Sequence, residues 1–319
     1  MNQPFEIAGR KIEPGKFERV EIPVARLYNQ LQMTLPVTVL NGRKKGPRLW
    51  ISSTIHGDEL LGLGIQFQLL KFLENEEFSG TLLLIPLVNP FGLLHQSRYL
   101  PDRRDLNRCF PGAKKGSLAT RIAHIFMKEV VARCTHGIDL HTGSNHRTNL
   151  PQIRANLKDP KTLEMAQAFG APVMIHSETR DGSLRDAAGD QGVPTLLFEA
   201  GEPLRHNNEF VQIGVEGIFG VMRQLKMTSH GPMPKIISKE IKDTKWLRSP
   251  DSGYLVLNVE LGQEIKKKQT LGWVKLRGST EFFKVIEKKV ISPVDGVVIG
   301  KLLNPLVHEG DAIIHLGLI

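Results

Sequence analysis

Cysteine is scarce in this chain of 319 residues, which contains only Cys109 and Cys134. Two cysteines argue against the disulfide framework of a small secreted protein. The first six residues have neither a basic nor an apolar stretch, so no secretory signal is predicted there. No apolar run approaches the length of about 20 residues that spans a membrane. These absences predict a cytoplasmic protein that has no membrane partner.

Positive charge is in excess, with a net charge of +9 at pH 7, but it is not clustered. The basic residues are scattered apart from short runs at 43–45 and 266–268. Neither run is interleaved with the aromatic side chains that favour binding of single-stranded nucleic acid. We therefore expect no nucleic-acid partner, although anionic small molecules remain suitable ligands.

The first two-thirds of the chain alternates strand-like with helix-like segments. Runs rich in β-forming residues predict strands at 35–40, 49–55, 81–88, 137–140, 173–175 and 195–198. Apolar residues at helical spacing predict helices at 59–73, 118–134, 163–169, 184–188 and 210–225. A long loop at 89–112 is of the length that is usually functional. This pattern predicts an α/β fold with a mixed, mostly parallel sheet flanked by helices.

The composition changes at about Met227, where a linker-like run rich in Gly and Pro begins. Beyond it the pattern is one of short strands and turns, without a long helical segment. We therefore predict an α/β domain at 1–227, a linker at 228–240 and a small all-β domain at 241–319. Its order, with Ser-Pro-Val-Asp-Gly at 292–296 and then Val-His-Glu-Gly-Asp at 307–311, resembles a lipoyl or biotinyl barrel-sandwich. It has no Met-Lys-Met or Asp-Lys hairpin centre of a carrier, so we expect this domain to shape or cover a site on the α/β domain.

Three residues form the strongest candidate for a metal site. His56 and Glu59 are three residues apart at the predicted start of a helix, where such residues share a face. His141 follows a short predicted strand within Asp-Leu-His-Thr-Gly. Two His and one Glu are the ligands of hydrolytic zinc sites, which keep one position open for water. Taken alone, His56 and Glu59 could merely begin a helix, but with His141 they predict one Zn²⁺ per chain.

A carboxylate near the metal is needed to take a proton from water and return it to the leaving amine. Glu199 is the candidate, because it ends an apolar strand at which a carboxylate without a partner would be costly. Glu202 is the alternative, but it lies past the turn at 200–201. We expect eight further histidines to be structural, since none has a second donor at ligand spacing: those at 95, 124, 136, 176, 206, 230, 308 and 315.

The loop at 97–108 carries candidates for substrate binding. The guanidinium of Arg108 and the amide of Asn107 suit a substrate carboxylate. Arg98 could direct a cation at a developing oxyanion, although spacing alone does not decide between Arg98 and Arg103. We interpret Asp105 as a loop anchor.

Together these motifs resemble the succinylglutamate desuccinylase and aspartoacylase family, a branch of the zinc carboxypeptidase-like fold. The resemblance rests on His-Gly-Asp-Glu at 56–59, Arg-Tyr at 98–99, Asp-Leu-Asn-Arg at 105–108, Asp-Leu-His-Thr-Gly at 139–143 and Phe-Glu-Ala-Gly at 198–201. It implies that the chain hydrolyses an amide between an acyl group and an amino acid. It further implies the following roles: zinc ligation by His56, Glu59 and His141, general base catalysis by Glu199, oxyanion stabilisation by Arg98, and α-carboxylate binding by Asn107 and Arg108.

The substrate is less well determined by the sequence. An acyl group with a second carboxylate needs a further cation, for which Arg185 is the candidate; a solvated arginine paired with Asp186 is the alternative. His146 and Arg147 lie near the site if the loop after His141 folds over it. A metallocarboxypeptidase that acts on peptides or protein tails would share every catalytic residue. A binding protein without activity is disfavoured because all catalytic positions are filled. Whether the chain forms a homo-oligomer is left open.

Overall fold

The computed structural model describes residues 1–74, 76–277 and 285–318. It contains six α-helices among these residues: α1 (Leu61–Leu73), α2 (Pro90–Leu94), α3 (Leu118–Glu129), α4 (Pro160–Phe169), α5 (Leu184–Asp190) and α6 (Asn208–Gln224). Two 3₁₀ helices cover Leu106–Arg108 and Val131–Arg133. Within the described part of the chain, none of these helices has the length and apolar character needed to cross a membrane.

Strands make up the rest of the regular structure. The first ten are β1 (Phe5–Ile7), β2 (Arg10–Ile12), β3 (Lys16–Arg26), β4 (Gln32–Asn41), β5 (Lys44–Ser53), β6 (Ser79–Ile85), β7 (His136–His141), β8 (Arg147–Ala155), β9 (Val173–His176) and β10 (Thr195–Gly201). The C-terminal strands are β11 (Lys239–Ile241), β12 (Asp243–Arg248), β13 (Gly253–Leu257), β14 (Glu264–Ile265), β15 (Thr270–Arg277), β16 (Val285–Ile291), β17 (Gly296–Leu302), β18 (Leu306–Val307) and β19 (Ala312–Leu318).

Several predicted boundaries needed correction. The first helix begins at Leu61 rather than at residue 59, and the helix predicted to reach residue 134 ends at Glu129 before a 3₁₀ turn. The predicted loop at 89–112 contains α2 and the first 3₁₀ helix. Strand β3 was missed although Val20, Ile22 and Val24 are buried at the alternate spacing of a strand with one wet face.

A large mixed sheet organises the fold, with strand order β12-β19-β17-β8-β10-β7-β5-β6-β4-β3. Strand β9 joins it beside β8, β11 pairs with β9, and β14 pairs with β17. The central strands β10, β7, β5 and β6 are parallel to their neighbours within that group. The strands on both sides of this centre, β4 and β8, pair with it antiparallel. The prediction of a mixed sheet is confirmed, and four of the seven pairings between strands of residues 1–227 in this sheet are parallel. The C-terminal strands add mostly antiparallel pairings.

Two apolar cores cover the two faces of the central strands, as expected for buried parallel strands. Helices α1, α4 and α6 pack on one face, through side chains such as Ile65, Phe169 and Val215. Helices α3 and α5 and the N-terminal strands pack on the other face, around Trp50 and Phe126. The prediction that helices flank the sheet is confirmed.

Alternation along β7 and β10 places polar side chains together. Ile138 and Leu140 of β7 belong to the core formed with α1, α4 and α6. Asp139 and His141 therefore point to the opposite face, because side chains alternate along a strand. In β10 the same alternation places Phe198 in that core and directs Glu199 to the opposite face.

The C-terminal strands extend the central sheet. Strand β17 pairs with β8, and β19 and β12 follow beyond it. A separate four-stranded sheet, in the order β16-β15-β13-β18, packs on these strands around a third apolar core that includes Leu255, Val274 and Ile314. Strands of the region predicted as a separate β domain thus reach the edge of the active-site sheet. The domain boundaries at 227 and 241 stay a prediction.

Candidate active site

The side chains of His56, Glu59 and His141 converge near the carboxyl end of the central parallel strands, where open α/β sheets place their sites. Nδ1 of His56 lies 2.8 Å from Glu59 Oε1, and Nδ1 of His141 lies 2.8 Å from Glu59 Oε2. One donor atom from each residue lies within 4.8 Å of the other two. All three side chains are buried. The structure therefore brings together the three ligands predicted from the sequence.

His56 and Glu59 lie in a turn between β5 and α1, which corrects the prediction that they begin a helix. The amide of Glu59 donates to the carbonyl of His56 at 3.2 Å, and this turn holds the two side chains side by side. Gly57 permits the close approach of α2, because a Cβ at this position would lie 1.9 Å from the carbonyl carbon of Gly92. The turn and the adjacent helix thus require glycine within His-Gly-Asp-Glu.

Each of the two histidines also contacts a second carboxylate through Nε2. Asp105 Oδ1 lies 3.1 Å from Nε2 of His56, and Asp139 Oδ2 lies 2.8 Å from Nε2 of His141. Ser52 donates to the other oxygen of Asp139 at 2.6 Å. A carboxylate that accepts the Nε2 proton leaves the Nδ1 lone pair free to bind a metal. Sequence reasoning missed Asp139, although it stands two residues before His141 in the motif.

Electrostatics keep the cluster charged despite its burial. Burial alone would favour a neutral Glu59, but the imidazoles of His56 and His141 outweigh it and hold the pKa of Glu59 well below its ordinary value. Burial likewise opposes a charged His141, yet Asp139 and Glu59 raise its pKa well above the ordinary value. An ionised carboxylate and two imidazole nitrogens that face it form a donor set suited to a divalent metal ion. These residues could hold one.

Glu199 stands directly beside this cluster. Strands β10 and β7 are parallel, and Glu199 is in register with His141. Asn149 donates to Glu199 Oε2 at 2.9 Å, and Nε of Arg154 lies 3.6 Å from the same oxygen. The carboxylate lines the cavity described below, whereas Glu202 is not among its lining residues.

Arg98 is the arginine of the 97–108 loop that reaches the cluster. Its Nη2 donates to Asp105 Oδ2 at 2.8 Å, and its Nη1 lies 3.3 Å from Glu59 Oε1. Arg103, the alternative that spacing left open, is exposed. Asp105 does more than anchor the loop, because it joins Arg98 to His56. Burial opposes the charge on Asp105, but His56 and Arg98 hold its pKa well below the ordinary value.

Asn107, Arg108 and Arg185 form one wall near the cluster. Asn107 Oδ1 accepts from the Leu184 amide at 2.9 Å, which ties the 3₁₀ helix to the start of α5 and leaves the Asn107 Nδ2 group as a donor. Arg108 is exposed, lines the cavity and donates to the carbonyl of Asn107. Nη2 of Arg185 donates to the carbonyl of Glu178 at 2.9 Å. Burial, with the nearby charge of Arg154, lowers the pKa of Arg185 to about 10. Arg185 is therefore half-buried at the cavity rather than solvated.

A cavity of about 440 Å³ opens above these residues. Its lining includes every catalytic, substrate-binding and metal residue predicted from the sequence: His56, Glu59, Arg98, Asn107, Arg108, His141, Arg185 and Glu199. It also includes residues that sequence reasoning missed or assigned to structure, namely Asn149, Arg154, Trp246, Arg248 and His315. Arg147, whose position near the site depended on the fold of its loop, lines it as well. No local spacing could reveal Trp246 or His315, since strand pairing alone carries them to the site.

Comparisons with known proteins agree with this architecture. The structure of the Ectoine utilization protein EutE (DoeB) from Ruegeria pomeroyi, bound to product, has a TM-score of 0.83 at 20% identity and covers 100% of both chains. A succinylglutamate desuccinylase/aspartoacylase structure from Rhodobacter sphaeroides has a TM-score of 0.79 at 22% identity and covers 94% of both chains. At these identities the two structures show a shared fold, which is a mixed α/β fold with a large sheet.

Comparison of sequences adds a curated relative and a family model to these structures. The N-alpha-acetyl-L-2,4-diaminobutyric acid deacetylase of Halomonas elongata is 27% identical over 252 residues, which cover 75% of this chain and 73% of that protein. The model of the succinylglutamate desuccinylase/aspartoacylase catalytic domain matches residues 45–225, more than half of the chain, and that range contains every predicted site residue. The chain therefore belongs to the succinylglutamate desuccinylase/aspartoacylase family.

Proposed function

We propose that this protein is a zinc-dependent deacylase that hydrolyses the amide bond of a small N-acyl amino acid, releasing a carboxylate and a free amine. The observation that carries the proposal is the register of Glu199 with His141, which sets a carboxylate beside the His56–Glu59–His141 cluster. Family membership supports the same reaction class, since the family takes its name from two amide hydrolases.

His56, Glu59 and His141 would hold the zinc ion. When bound, zinc would polarise the scissile carbonyl and lower the pKa of a water molecule towards about 7. Asp105 and Asp139 would hold the imidazoles of His56 and His141 with Nδ1 towards the ion, because each accepts from Nε2.

Glu199 would act as the general base and then as the general acid. Asn149 donates to Oε2, and among the described residues no hydrogen bond reaches Oε1, so this oxygen can accept a proton from water. The oxygen of that water adds to the amide carbonyl carbon, and the carbon–nitrogen bond then breaks. Glu199 returns the proton to the leaving nitrogen, which departs as the free amine.

Arg98 would stabilise the negative charge that develops on the carbonyl oxygen. Its Nη1 group lies beside both Glu59 and His56, at 3.3 Å and 3.2 Å, and Asp105 holds the guanidinium in that orientation. A cation fixed in place before the reaction needs little reorganisation when charge develops. Asn107 and Arg108 would bind the α-carboxylate, and Arg185 would add a further cation.

We extend the proposal to the finer architecture. The parallel centre with the site at its carboxyl end supports a zinc carboxypeptidase-like arrangement. The two packed C-terminal sheets around Leu255, Val274 and Ile314 support a barrel-sandwich that closes over the cavity. Trp246, Arg248 and His315 line the cavity from this region, which favours small substrates over protein tails.

The test is release of primary amine from a panel of N-acyl amino acids and dipeptides. The zinc-loaded wild type would be run beside Glu199→Gln, with Glu202→Gln as the matched control outside the cavity. Turnover of N-acyl amino acids that is lost only in Glu199→Gln supports the deacylase. Turnover of dipeptides alone replaces it with a carboxypeptidase, and absence of turnover across the panel with zinc bound overturns the proposal.

A further inference from the structure

Strand β16 lies at an open edge of the C-terminal four-stranded sheet. It pairs with β15 from Val285, opposite Arg277, to Ile291, opposite Thr270. Among the described residues, no strand pairs with the other side of β16. The N–H and C=O groups along an open edge can pair with a further strand, and natural proteins usually prevent this with charges, bulges or very short strands.

The composition of this edge favours a partner strand. The apolar side chains of Val285, Ile286 and Ile291 are 62%, 42% and 47% exposed. Val290 is buried in the third apolar core, so the even-numbered residues of β16 project towards that core and the odd-numbered ones project away from it. Exposed apolar side chains along an unpaired strand favour association rather than permanent contact with water.

The charges of β16 are complementary about its centre. Lys288 is the middle residue of the seven, with Glu287 on one side and Lys289 on the other. In an antiparallel pair of two β16 strands centred on Lys288, Glu287 of each copy lies opposite Lys289 of the other. The remaining pairs are apolar: Val285 with Ile291, and Ile286 with Val290. Opposite charges and apolar pairs are the cross-strand neighbours that stabilise a sheet.

Neighbouring registers do not fit. A two-fold axis between two copies of one strand passes through a residue, because side chains that lie opposite each other project to the same face. With the axis at Glu287 or Lys289, that charged residue would lie opposite its own copy. Lys288 would then lie opposite Ile286 or Val290. The register centred on Lys288 is therefore the complementary one.

Charges within the chain also suit this register. The axis brings Lys288 opposite its own copy, and Asp251 offsets the repulsion because its Oδ2 lies 2.6 Å from Lys288 Nζ. Glu287 lies 3.2 Å from Nζ of Lys275 on β15. Across the pair it would lie between Lys275 of its own chain and Lys289 of the second copy, so that positive and negative charges alternate.

We propose that β16 pairs antiparallel with β16 of a second copy of this chain, centred on Lys288, and joins two four-stranded sheets into one sheet of eight strands. The partner is the chain itself. Residues of β16 do not line the candidate active-site cavity. The proposal therefore goes beyond the proposed deacylase function and does not depend on it.

Sedimentation velocity over a wide range of protein concentrations tests the proposal. The wild type would be compared with Glu287→Lys, with Lys289→Glu and with an equimolar mixture of these two variants. Lys114→Glu is the matched control, because it makes the same charge change at an exposed position in the loop before α3. Thermal melting of each variant separates loss of association from loss of folding.

We expect the wild type to dimerise reversibly. Each β16 variant alone should raise the dimer Kd by about 10- to 100-fold, because two pairs of opposite charges become pairs of like charges. The mixture should dimerise again, since one chain then carries two positive charges where the other carries two negative ones. Lys114→Glu should dimerise as the wild type does.

A wild type that stays monomeric at every concentration would overturn the inference, as would a dimer with the same Kd in both β16 variants. Weakening by each variant without recovery in the mixture would show that Glu287 and Lys289 do not face each other, and would overturn the proposed register. Amine release by the wild type is measured separately. Its absence would overturn the proposed function and leave this inference standing.

Discussion

Glu199 and His141 stand directly opposite each other on the neighbouring parallel strands β10 and β7. Residues in register on parallel strands project to the same face of the sheet. Their side chains therefore share one side of the sheet although the two residues are 58 positions apart in the chain. This pairing joins the candidate base to the candidate metal cluster.

Replacement of the candidate base tests this pairing. Glu199→Gln keeps the shape and the contact with Asn149 but cannot take a proton, so kcat should fall by about 10²- to 10⁴-fold. Zinc content measured by elemental analysis should remain at one ion per chain. Full activity in this variant would eliminate Glu199 as the base, and Glu202→Gln should behave as the wild type.

Replacement of a candidate ligand should have a different signature. His141→Ala removes one of three donors and leaves Asp139 and Glu59 without the imidazole that lies between them. We expect both zinc content and turnover to be lost, as measured on the same preparation. Retention of stoichiometric zinc would show that another residue completes the site.

The partner of His141 should control metal affinity without touching the ion. Asp139→Asn removes the charge that orients His141, and zinc affinity should fall by about 10- to 100-fold in a chelator competition assay. Ser52→Ala should produce a smaller loss in the same direction, because Ser52 donates to Asp139 at 2.6 Å.

Ser53→Ala is the matched control for Ser52→Ala. The Ser53 hydroxyl donates to the carbonyl of Pro86 rather than to Asp139. This variant should lose some stability and keep its zinc affinity. Equal zinc affinities for Ser52→Ala and Ser53→Ala would argue against a role of Ser52 in positioning the ligand.

Arg108 should contribute to substrate binding more than to the chemical step. Arg108→Ala removes a cation that lines the cavity, so KM for carboxylate-bearing substrates should rise by about 10- to 100-fold with little change in kcat. Arg104→Ala in the same loop is the control, since Arg104 is exposed and does not line the cavity. An unchanged KM in Arg108→Ala would remove this residue from the binding site.

Gly300 of β17 is paired with Asn149 of β8, and a Cβ at position 300 would lie 2.8 Å from Asn149 Oδ1. We therefore expect the C-terminal strands to influence catalysis. In Gly300→Ala the added Cβ would displace the side chain of Asn149, which donates to Glu199. We expect a several-fold fall in kcat with a small change in melting temperature. Gly189→Ala is the control, because a Cβ there would meet nothing within 4 Å. A kcat equal to that of the wild type would show that Asn149 adapts without disturbing the base.

The sequence by itself determined the candidate metal cluster, the candidate base and the alternation of strands and helices. These features depend on local pattern. The pattern consists of apolar runs that end at polar residues, apolar residues at helical spacing, and a His and a Glu three positions apart in one turn. The proximity of His56 to His141 could be anticipated because His56 follows β5 and His141 ends β7, and the carboxyl ends of parallel strands meet at one edge. Asn107 and Arg108 were also predicted from the sequence, because an adjacent amide and guanidinium suit a substrate carboxylate.

Only the tertiary structure decided which distant residues complete the cavity. Arg98 rather than Arg103 faces the cluster because Asp105 binds its guanidinium, and no spacing rule contains that choice. Trp246 and His315 reach the site through pairing of β12, β19 and β17 with β8, which depends on register between strands far apart in the chain. The register between strands depends on how whole faces of the sheet pack, not on local propensity. It therefore could not be predicted from the local sequence around Trp246 or His315.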